Sequence, residues 1–137
     1  MAQGARSKAR KRALDILFAA DLRGESATDA LDRAVEEGSA PSNPYTAELV
    51  RGVVERRERI DEVLRQFSQA WSLERMPAVD RNVLRIGVFE LLFSDEVPDP
   101  VAVSEAMALV TELSTDESPQ FVNGVLGAIQ RSKSTLV

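Results

Sequence analysis

The sequence predicts an all-α protein, a compact bundle of six or seven helices. The chain is dominated by Ala, Leu, Glu and Arg, which favour helices. The period-two runs of Val, Ile, Thr and aromatic residues that indicate strands are missing. Capping residues, glycines and prolines recur at helix-length intervals with short connections, so neighbouring helices should pack closely.

The first two predicted helices each end at a glycine. Helix one runs from about Ser7 to Leu22 and stops at Gly24. Helix two follows Ser26–Asp29, in which a serine cap precedes a carboxylate by three residues, and it ends at Gly38.

The third predicted helix begins at Asn43-Pro44, after a polar loop. A capping asparagine followed by proline at the first helical position is a favoured helix start. The helix would continue to about Phe67. Because Gly52 lies inside this long segment, the alternative is two helices joined near Arg57.

The rest of the chain predicts a connector and three more helices. The connector runs from Trp71 to Met76, and the helices run from Pro77 to about Ser94, from Asp99-Pro100 to Leu113 and from Ser118-Pro119 to about Arg131. The first of these is apolar on almost every side, which places it in the middle of the bundle. Its Glu90 would therefore need a polar partner from another helix.

Composition excludes several classes of protein. The 137 residues suit one domain. Without cysteine or histidine, the chain forms no disulfide, no Cys/His zinc site and no Ser-His-Asp triad. Glycine-rich phosphate motifs, a membrane-spanning apolar run and a signal peptide are also missing. We therefore predict a cytoplasmic protein that is not an enzyme, with no cofactor, no metal and no membrane contact.

Two pairs of neighbouring carboxylates are candidates for acid–base groups. They are Asp61-Glu62 and Asp116-Glu117. Acid–base chemistry needs matched pKa values and a pocket, and the sequence indicates neither. The simpler interpretation is exposed helix faces or helix-start charges.

Charge is distributed unevenly along the chain. Residues 1–12 carry five positive charges and no negative one, whereas residues 24–137 carry 11 basic and 20 acidic residues, a balance of −9. A local basic segment can engage a polyanion without making the whole surface cationic. Basic residues on a helix beside a folded domain favour nucleic acid, although a solvated tail without function would have the same charge.

The first helix has two apolar stripes. One comprises Ala9, Ala13, Ile16, Leu17 and Ala20, and the other comprises Leu14, Phe18 and Leu22. A helix that only covers a core needs one stripe. The second stripe would therefore face a partner, unless both are buried within the domain. Arg6 and Arg10 lie one turn apart, so both could reach the same stretch of phosphate backbone.

The last predicted helix combines an aromatic residue with glycines. Phe121 lies in its first turn, where it would either stack on an unpaired base or close the core. Gly124 and Gly127 each cost about 1 kcal/mol relative to alanine in a helix. Such glycines usually mark the close approach of another backbone.

Four stretches of the chain resemble the NusB family of bacterial transcription antitermination factors. They are ARSKARKRALDILF, WSLERMPAVDRNVLRIGVFELL, VPDPVAVSEAMALVTELS and DESPQFVNGVLG. The second and fourth are specific, and the order and spacing of all four match over nearly the whole chain. The tryptophan in the connector makes the chain most similar to actinobacterial members.

The resemblance implies both a fold and a function. Residues 1–137 would form a single NusB-like RNA-binding domain, with helical subdomains at about 5–70 and 77–132. The domain would bind boxA, a short single-stranded RNA element in the leader of ribosomal RNA transcripts, together with NusE, a ribosomal small-subunit protein. The pair would recruit the other Nus factors to RNA polymerase and promote processive rRNA transcription, without catalysis.

The resemblance also assigns residues to two surfaces. The RNA-binding residues would be Arg6, Lys8, Arg10, Arg81, Gln120 and Phe121. The NusE-facing residues would be Phe18, Leu22, Asp80 and Glu117. Arginines and lysines would hold phosphates, while the glutamine and the phenylalanine would meet exposed bases. The first helix and the start of the last would together form one surface for an unpaired transcript.

The chain departs from better-known family members at three positions. Phe18 replaces a tyrosine, which removes a hydroxyl from the partner surface, and Ser7 and Gln120 stand where basic residues occur elsewhere. Fewer positive charges should weaken RNA binding. They should also make the slope of log K against log salt concentration shallower. The change is roughly 0.7 for each phosphate of a single strand that the protein no longer neutralises.

Two other functions stay open on the sequence alone. Some family members form homodimers that cover the RNA-binding face, so the chain could be a homodimeric helical scaffold. A similar helical domain precedes the catalytic domain of ribosomal RNA cytosine methyltransferases, so it could also be an RNA-binding domain of that kind. The absence of a cysteine and of a Rossmann-like segment counts against methyltransferase chemistry.

Overall fold

The protein is all-helical, and no strand occurs among the residues that the structure describes. The computed structural model describes residues 4–39 and 41–137. Its helices are α1 (Ala5–Arg23), α2 (Ala27–Glu36), α3 (Pro44–Glu55), α4 (Arg57–Phe67), α5 (Ala78–Leu92), α6 (Asp99–Leu113), α7 (Ser118–Arg131) and α8 (Lys133–Leu136), with a 3₁₀ turn at Leu73–Arg75. The predicted fold class is confirmed. The short α8 was not predicted.

The helices form two compact units, Met1–Glu55 and Arg56–Val137. In the first unit, α1, α2 and α3 all pack against one another. In the second, α5 contacts α4, α6, α7 and α8. The division thus lies at the end of α3, before α4, whereas the family resemblance places it near the connector Trp71–Met76.

Local signals in the sequence set most helix ends. Gly24 and Gly38 have φ values of 68° and 77°, the left-handed conformation that lets glycine end a helix. At the start of α3, the Tyr45 N–H donates to Asn43 Oδ1 at 2.9 Å, which is the predicted cap. Ser26 occupies the N-cap position of α2, but its hydroxyl makes no capping hydrogen bond.

The long segment after Pro44 is two helices, as the sequence allowed. α3 ends at Glu55 and α4 begins at Arg57. The interruption lies at Arg56, where φ is −108° and ψ is 16°. Gly52, the reason for expecting a break, is buried inside α3.

α5 is the buried centre of the second unit, as predicted. All of its residues from Asn82 to Leu92 are buried, including Glu90. Arg85 is 3 % exposed and forms a two-pronged ion pair with Asp61 of α4, with Nε 2.9 Å from Oδ1 and Nη2 3.2 Å from Oδ2. Arg57 donates to the same carboxylate at 2.9 Å. The interpretation of Asp61 as an exposed helix charge is therefore wrong, whereas Glu62 is exposed.

The close helix approach occurs at Gly87 of α5 and not at the glycines of α7. A methyl group added to Gly87 would lie 2.9 Å from Leu126 Cδ1. Apart from chain neighbours and the adjacent backbone of α7 itself, no described atom lies within 4 Å of such a methyl group at Gly124, and at Gly127 the nearest is Arg131 Nη1, at 3.3 Å. The prediction that Gly124 and Gly127 admit a neighbouring backbone is wrong.

Gly124→Ala is expected to raise the free energy of unfolding by about 0.5–1 kcal/mol. The position is helical, exposed and open, so alanine adds helix propensity without a clash. Urea denaturation followed by circular dichroism measures the change. Gly87→Ala is the control: it gains the same propensity, but it must displace the buried Leu126. A Gly124→Ala protein less stable than the parent would contradict the conclusion that Gly124 is an open helical position with room for a methyl group.

Candidate nucleic-acid interface

Two of the predicted RNA-binding cations are exposed on the first turn of α1. They are Arg6 and Lys8. The Arg6 guanidinium carbon lies 4.6 Å from the centroid of the Tyr45 ring, a cation–π contact. Tyr45 is 5 % exposed and its backbone is fixed by the cap of α3. Its ring therefore orients Arg6 while leaving the arginine accessible.

Arg10 occupies a different environment from Arg6. It is 3 % exposed, and its guanidinium carbon lies 5.6 Å from the same Tyr45 ring. A guanidinium this deeply buried offers little surface to a phosphate. In this conformation Arg10 contacts the Tyr45 ring and has almost no surface open to RNA.

An aromatic pair stands at the start of α7. Phe121, in the first turn, is half-buried and packs edge-to-face against Trp71, with ring centroids 5.0 Å apart and an interplanar angle of 71°. A cavity of about 190 Å³ adjoins the two rings and is also lined by Ala70 and Glu117. Half-exposed rings beside a cavity can stack on unpaired bases.

Sequence reasoning missed Trp71 as a candidate site residue. It is the chain's single tryptophan and lies in the connector. Helical periodicity cannot show that Trp71, in the connector, contacts Phe121 at the start of α7, because the two residues are far apart in the sequence. The one available signal was a large aromatic residue in a connector outside any predicted helix.

The two other predicted RNA-binding residues have contrasting surroundings. Gln120 is exposed. Arg81 is half-buried, and its Nη1 donates to the carbonyl oxygens of Leu73 at 3.1 Å and Met76 at 3.4 Å. These bonds hold the connector that carries Trp71, so the Arg81 guanidinium has a structural use whether or not it meets RNA.

The connector also contains a perturbed carboxyl group. The pKa of Glu74 is lowered, first by a hydrogen bond from its own backbone N–H and then by Arg65, whose Nη2 lies 3.1 Å from Glu74 Oε1. The carboxylate is therefore charged at neutral pH. Its negative charge is balanced by the Arg65 guanidinium.

The second apolar stripe of α1 becomes more exposed towards the end of the helix. Leu14 is 2 % exposed, Phe18 is half-buried and Leu22 is 64 % exposed. The first stripe is buried throughout. An exposed leucine next to a half-buried phenylalanine is a suitable contact for an apolar partner surface.

The two acidic residues predicted to face NusE differ in exposure. Glu117 is exposed just before α7. Asp80 is fully buried: Ser114 Oγ donates to its Oδ1, while its Oδ2 has no hydrogen bond within the described structure. A side chain without exposed surface cannot be a direct partner contact in this conformation. Asp80 instead ties the first turn of α5 to the end of α6.

Residues 4–39 and 41–137 contain neither a metal-binding cluster nor a membrane-spanning helix. No group of three or more carboxylates there is arranged to hold a metal ion. No helix in that part of the chain is both long enough and apolar enough to cross a membrane.

Comparison with known proteins decides the family. The family model described as the NusB family matches residues 7–131. The chain belongs to the NusB family. A transcription antitermination protein NusB from a Nocardioides species is 72 % identical over 132 residues, covering 96 % of this chain and 98 % of the relative. The NusB of Pseudarthrobacter chlorophenolicus is 59 % identical over 133 residues, covering 97 % and 98 %.

Solved structures of the NusB family have the same fold. T. maritima NusB aligns with a TM-score of 0.82 and 30 % identity, covering 95 % of this chain and 93 % of that one. A chain from the crystal structure of antitermination factors NusB and NusE in complex with dsRNA aligns with a TM-score of 0.78 and 33 % identity, covering 93 % and 96 %. The Nocardioides and Pseudarthrobacter relatives are both named as transcription antitermination proteins.

Proposed function

We propose that this chain is a transcription antitermination factor that binds single-stranded boxA-type RNA of ribosomal RNA leaders, together with NusE. The observation that carries the proposal is its 72 % identity to a transcription antitermination protein NusB over nearly its full length. A structural neighbour has been crystallised with NusE and dsRNA, which supports these classes of partner. The factor acts within the antitermination complex of RNA polymerase and the other Nus factors, promoting processive rRNA transcription.

The proposed RNA contacts divide by chemistry. Arg6 and Lys8 are exposed cations that hold phosphates, which fixes the position of the RNA without reading its sequence. Gln120 and Phe121 meet unpaired bases through hydrogen bonding and stacking. Trp71 packs against Phe121 and keeps its ring in place.

The proposed factor acts by binding and carries out no catalysis. Its role is to hold RNA and NusE together, which requires exposed cations, aromatic rings and an apolar partner surface. A factor that works on nascent transcripts acts where RNA polymerase is found, which in bacteria is the cytoplasm.

A titration of labelled leader RNA, with and without purified NusE, tests the proposal. Fluorescence anisotropy should show saturable binding of a boxA-containing RNA that tightens when NusE is added. A scrambled RNA of the same length should bind more weakly. Sedimentation in the same buffers distinguishes the alternative scaffold, which would stay dimeric and ignore both ligands. That result would overturn the proposal.

Leu22→Asp is expected to weaken NusE binding about tenfold. The substitution places a charge on the most exposed part of the second α1 stripe, where the proposed partner would bury it. Titration of labelled NusE measures the effect. Val35→Asp, at an apolar α2 residue that is 55 % exposed, is the matched control. Equal reductions in affinity for the two variants would count against a local NusE contact.

A further inference from the structure

A series of hydroxyl groups links the buried carboxylate of Asp80 to the start of α7. Ser114 Oγ donates to Asp80 Oδ1. Ser114 Oγ also lies 3.0 Å from Ser118 Oγ, which in turn lies 2.9 Å from Thr115 Oγ1. Asp80 and Ser118 are fully buried, Ser114 is half-buried and Thr115 is exposed. These four residues, the hydroxyl network, therefore run from the surface of the α6–α7 turn to the first turn of α5.

The Asp80 carboxylate fixes the direction of the hydrogen bonds in this network. A hydroxyl group has one proton to donate. Because Ser114 gives its proton to the carboxylate, Ser118 is the donor to Ser114, and Thr115 is the donor to Ser118. Successive hydrogen bonds that point the same way polarise and strengthen one another. A single carboxylate of α5 thus orders the hydroxyl groups of the α6–α7 turn and of α7 itself.

The start of α7 has no capping side chain of its own. Glu117 occupies the N-cap position and makes no side-chain capping hydrogen bond. The backbone bonds at this end are long: the Ser118 N–H donates to the Thr115 carbonyl oxygen at 3.1 Å, and the Phe121 N–H donates to that of Glu117 at 3.4 Å. The side-chain hydrogen bonds of Ser118 therefore tie this end of α7 to α5 and α6.

The position of Phe121 depends on the same end of α7. Ser118 and Phe121 are three residues apart and so are neighbours on the surface of the helix. A shift of Ser118 would move the Phe121 ring away from Trp71, whose ring centroid is 5.0 Å away. The second carboxylate oxygen of Asp80 has no hydrogen bond within the described structure, which costs stability. Such a cost is expected near functional sites and calls for an explanation.

We propose that Asp80 is a positioning residue for RNA binding, which acts through Ser114 and Ser118 to hold the Phe121 ring where an unpaired base can stack on it. Asp80 itself contacts neither RNA nor NusE. The inference rests on the proposed RNA-binding function. It differs from the family resemblance, which assigns Asp80 to the NusE-facing surface. A binding group that is held in place before the ligand arrives binds at a lower entropic cost.

Ser114→Ala should weaken binding of leader RNA about fivefold, the effect expected for the loss of one net hydrogen bond. Ser114→Thr keeps the hydroxyl group and should bind RNA like the parent. Thr111→Val is the matched control, because it removes an exposed hydroxyl group of α6 that lies outside the network. Anisotropy titrations measure the affinities, and urea denaturation shows that each variant is fully folded in the assay buffer.

Ser118→Ala repeats the test if Ser114→Ala does not fold. It breaks the network at α7 but leaves the hydrogen bond between Ser114 and Asp80 in place. The same fivefold loss of RNA affinity is expected. A folded variant of either kind that binds RNA like the parent would overturn the inference.

Combining Ser114→Ala with Phe121→Ala shows whether the network acts through the ring. If it does, the double variant should bind RNA no more weakly than Phe121→Ala alone. Losses of affinity that add in full would mean that the network affects RNA binding by another route, and the inference would fail.

The fluorescence of Trp71, the single tryptophan, tests the positioning step without RNA. Ser114→Ala should shift its emission to longer wavelength, because the Phe121 ring packs against Trp71 in the parent. Ser114→Thr should emit like the parent. Unchanged emission in Ser114→Ala would overturn the inference alone. Failure of the parent to bind RNA, with the emission shift present, would overturn the proposed function and not the positioning of Phe121.

Discussion

Replacing Arg85 with alanine is expected to lower the free energy of unfolding by about 3–5 kcal/mol, the cost of breaking a buried ion pair from one side. Asp61 is 7 % exposed and accepts two hydrogen bonds from Arg85. Without the guanidinium, the Asp61 carboxylate stays buried, and among the residues that the structure describes the more exposed Arg57 is its one remaining cationic partner. Removing the guanidinium also takes away the donor to Asn82 Oδ1, which accepts from Arg85 Nη1 at 3.1 Å.

Arg57→Ala is the matched control for this prediction. It removes an arginine from the same carboxylate, but the Arg57 side chain is 45 % exposed. An ion pair with that much solvent exposure contributes at most about 1 kcal/mol. Urea denaturation of the three proteins gives the comparison. Equal destabilisation by Arg85→Ala and Arg57→Ala would show that burial does not determine how much each arginine's ion pair with Asp61 contributes to stability.

The double variant Arg85→Met with Asp61→Leu distinguishes two causes of destabilisation. One is the loss of the attraction between Arg85 and Asp61, and the other is the cost of leaving the Asp61 carboxylate buried without Arg85. Replacing both members of a buried ion pair with apolar residues is often neutral or stabilising. We therefore expect the double variant to recover most of the stability that Arg85→Ala removes. A double variant as unstable as the single one would instead indicate that the methionine and leucine do not fit the space between α4 and α5.

Helix boundaries were predictable because their causes are local. A glycine with positive φ ends α1, and an asparagine–proline pair starts α3, each within a few residues of the boundary. The buried character of α5 followed from its apolar residues alone. The Asp61–Arg85 ion pair was not predictable, because it joins residues 24 positions apart on different helices. Helical spacing places Asp61 at the edge of the apolar face of α4 and Glu62 opposite that face, but it does not identify Arg85 as the partner of Asp61.

The candidate site was predictable in residue type but not in exposure. The basic character of α1 is visible in the sequence. The difference between exposed Arg6 and buried Arg10 depends on where α3 places Tyr45. Similarly, Phe121 could be assigned to the start of a helix, but its packing against Trp71 depends on the path of the connector. Periodicity reports which face of a helix a residue occupies, whereas exposure depends on what packs against that face.

Phe121→Ala is expected to weaken binding of leader RNA about 5- to 150-fold, which corresponds to about 1–3 kcal/mol for one stacked base. Alanine removes the ring that forms one side of the Trp71 cavity, and with it both the stacking surface and the edge-to-face packing. Phe121→Tyr should retain most of the affinity because it keeps the ring. Phe93→Ala is the matched control, since Phe93 is a half-buried aromatic residue of the same unit whose ring centroid lies 4.6 Å from the Arg56 guanidinium carbon.

The fluorescence of Trp71 reports directly on the stacking of a base on Phe121, because Trp71 is the only tryptophan in the chain. A base that stacks on Phe121 enters the cavity that Trp71 also lines, so RNA should quench tryptophan fluorescence with the midpoint seen by anisotropy. Tripolyphosphate, which has charge but no bases, should leave the fluorescence unchanged. Because the Phe121→Ala effect arises from stacking, the slope of log K against log salt concentration for that variant should match the parent's. RNA binding that neither quenches Trp71 nor depends on Phe121 would place the bases elsewhere on the protein.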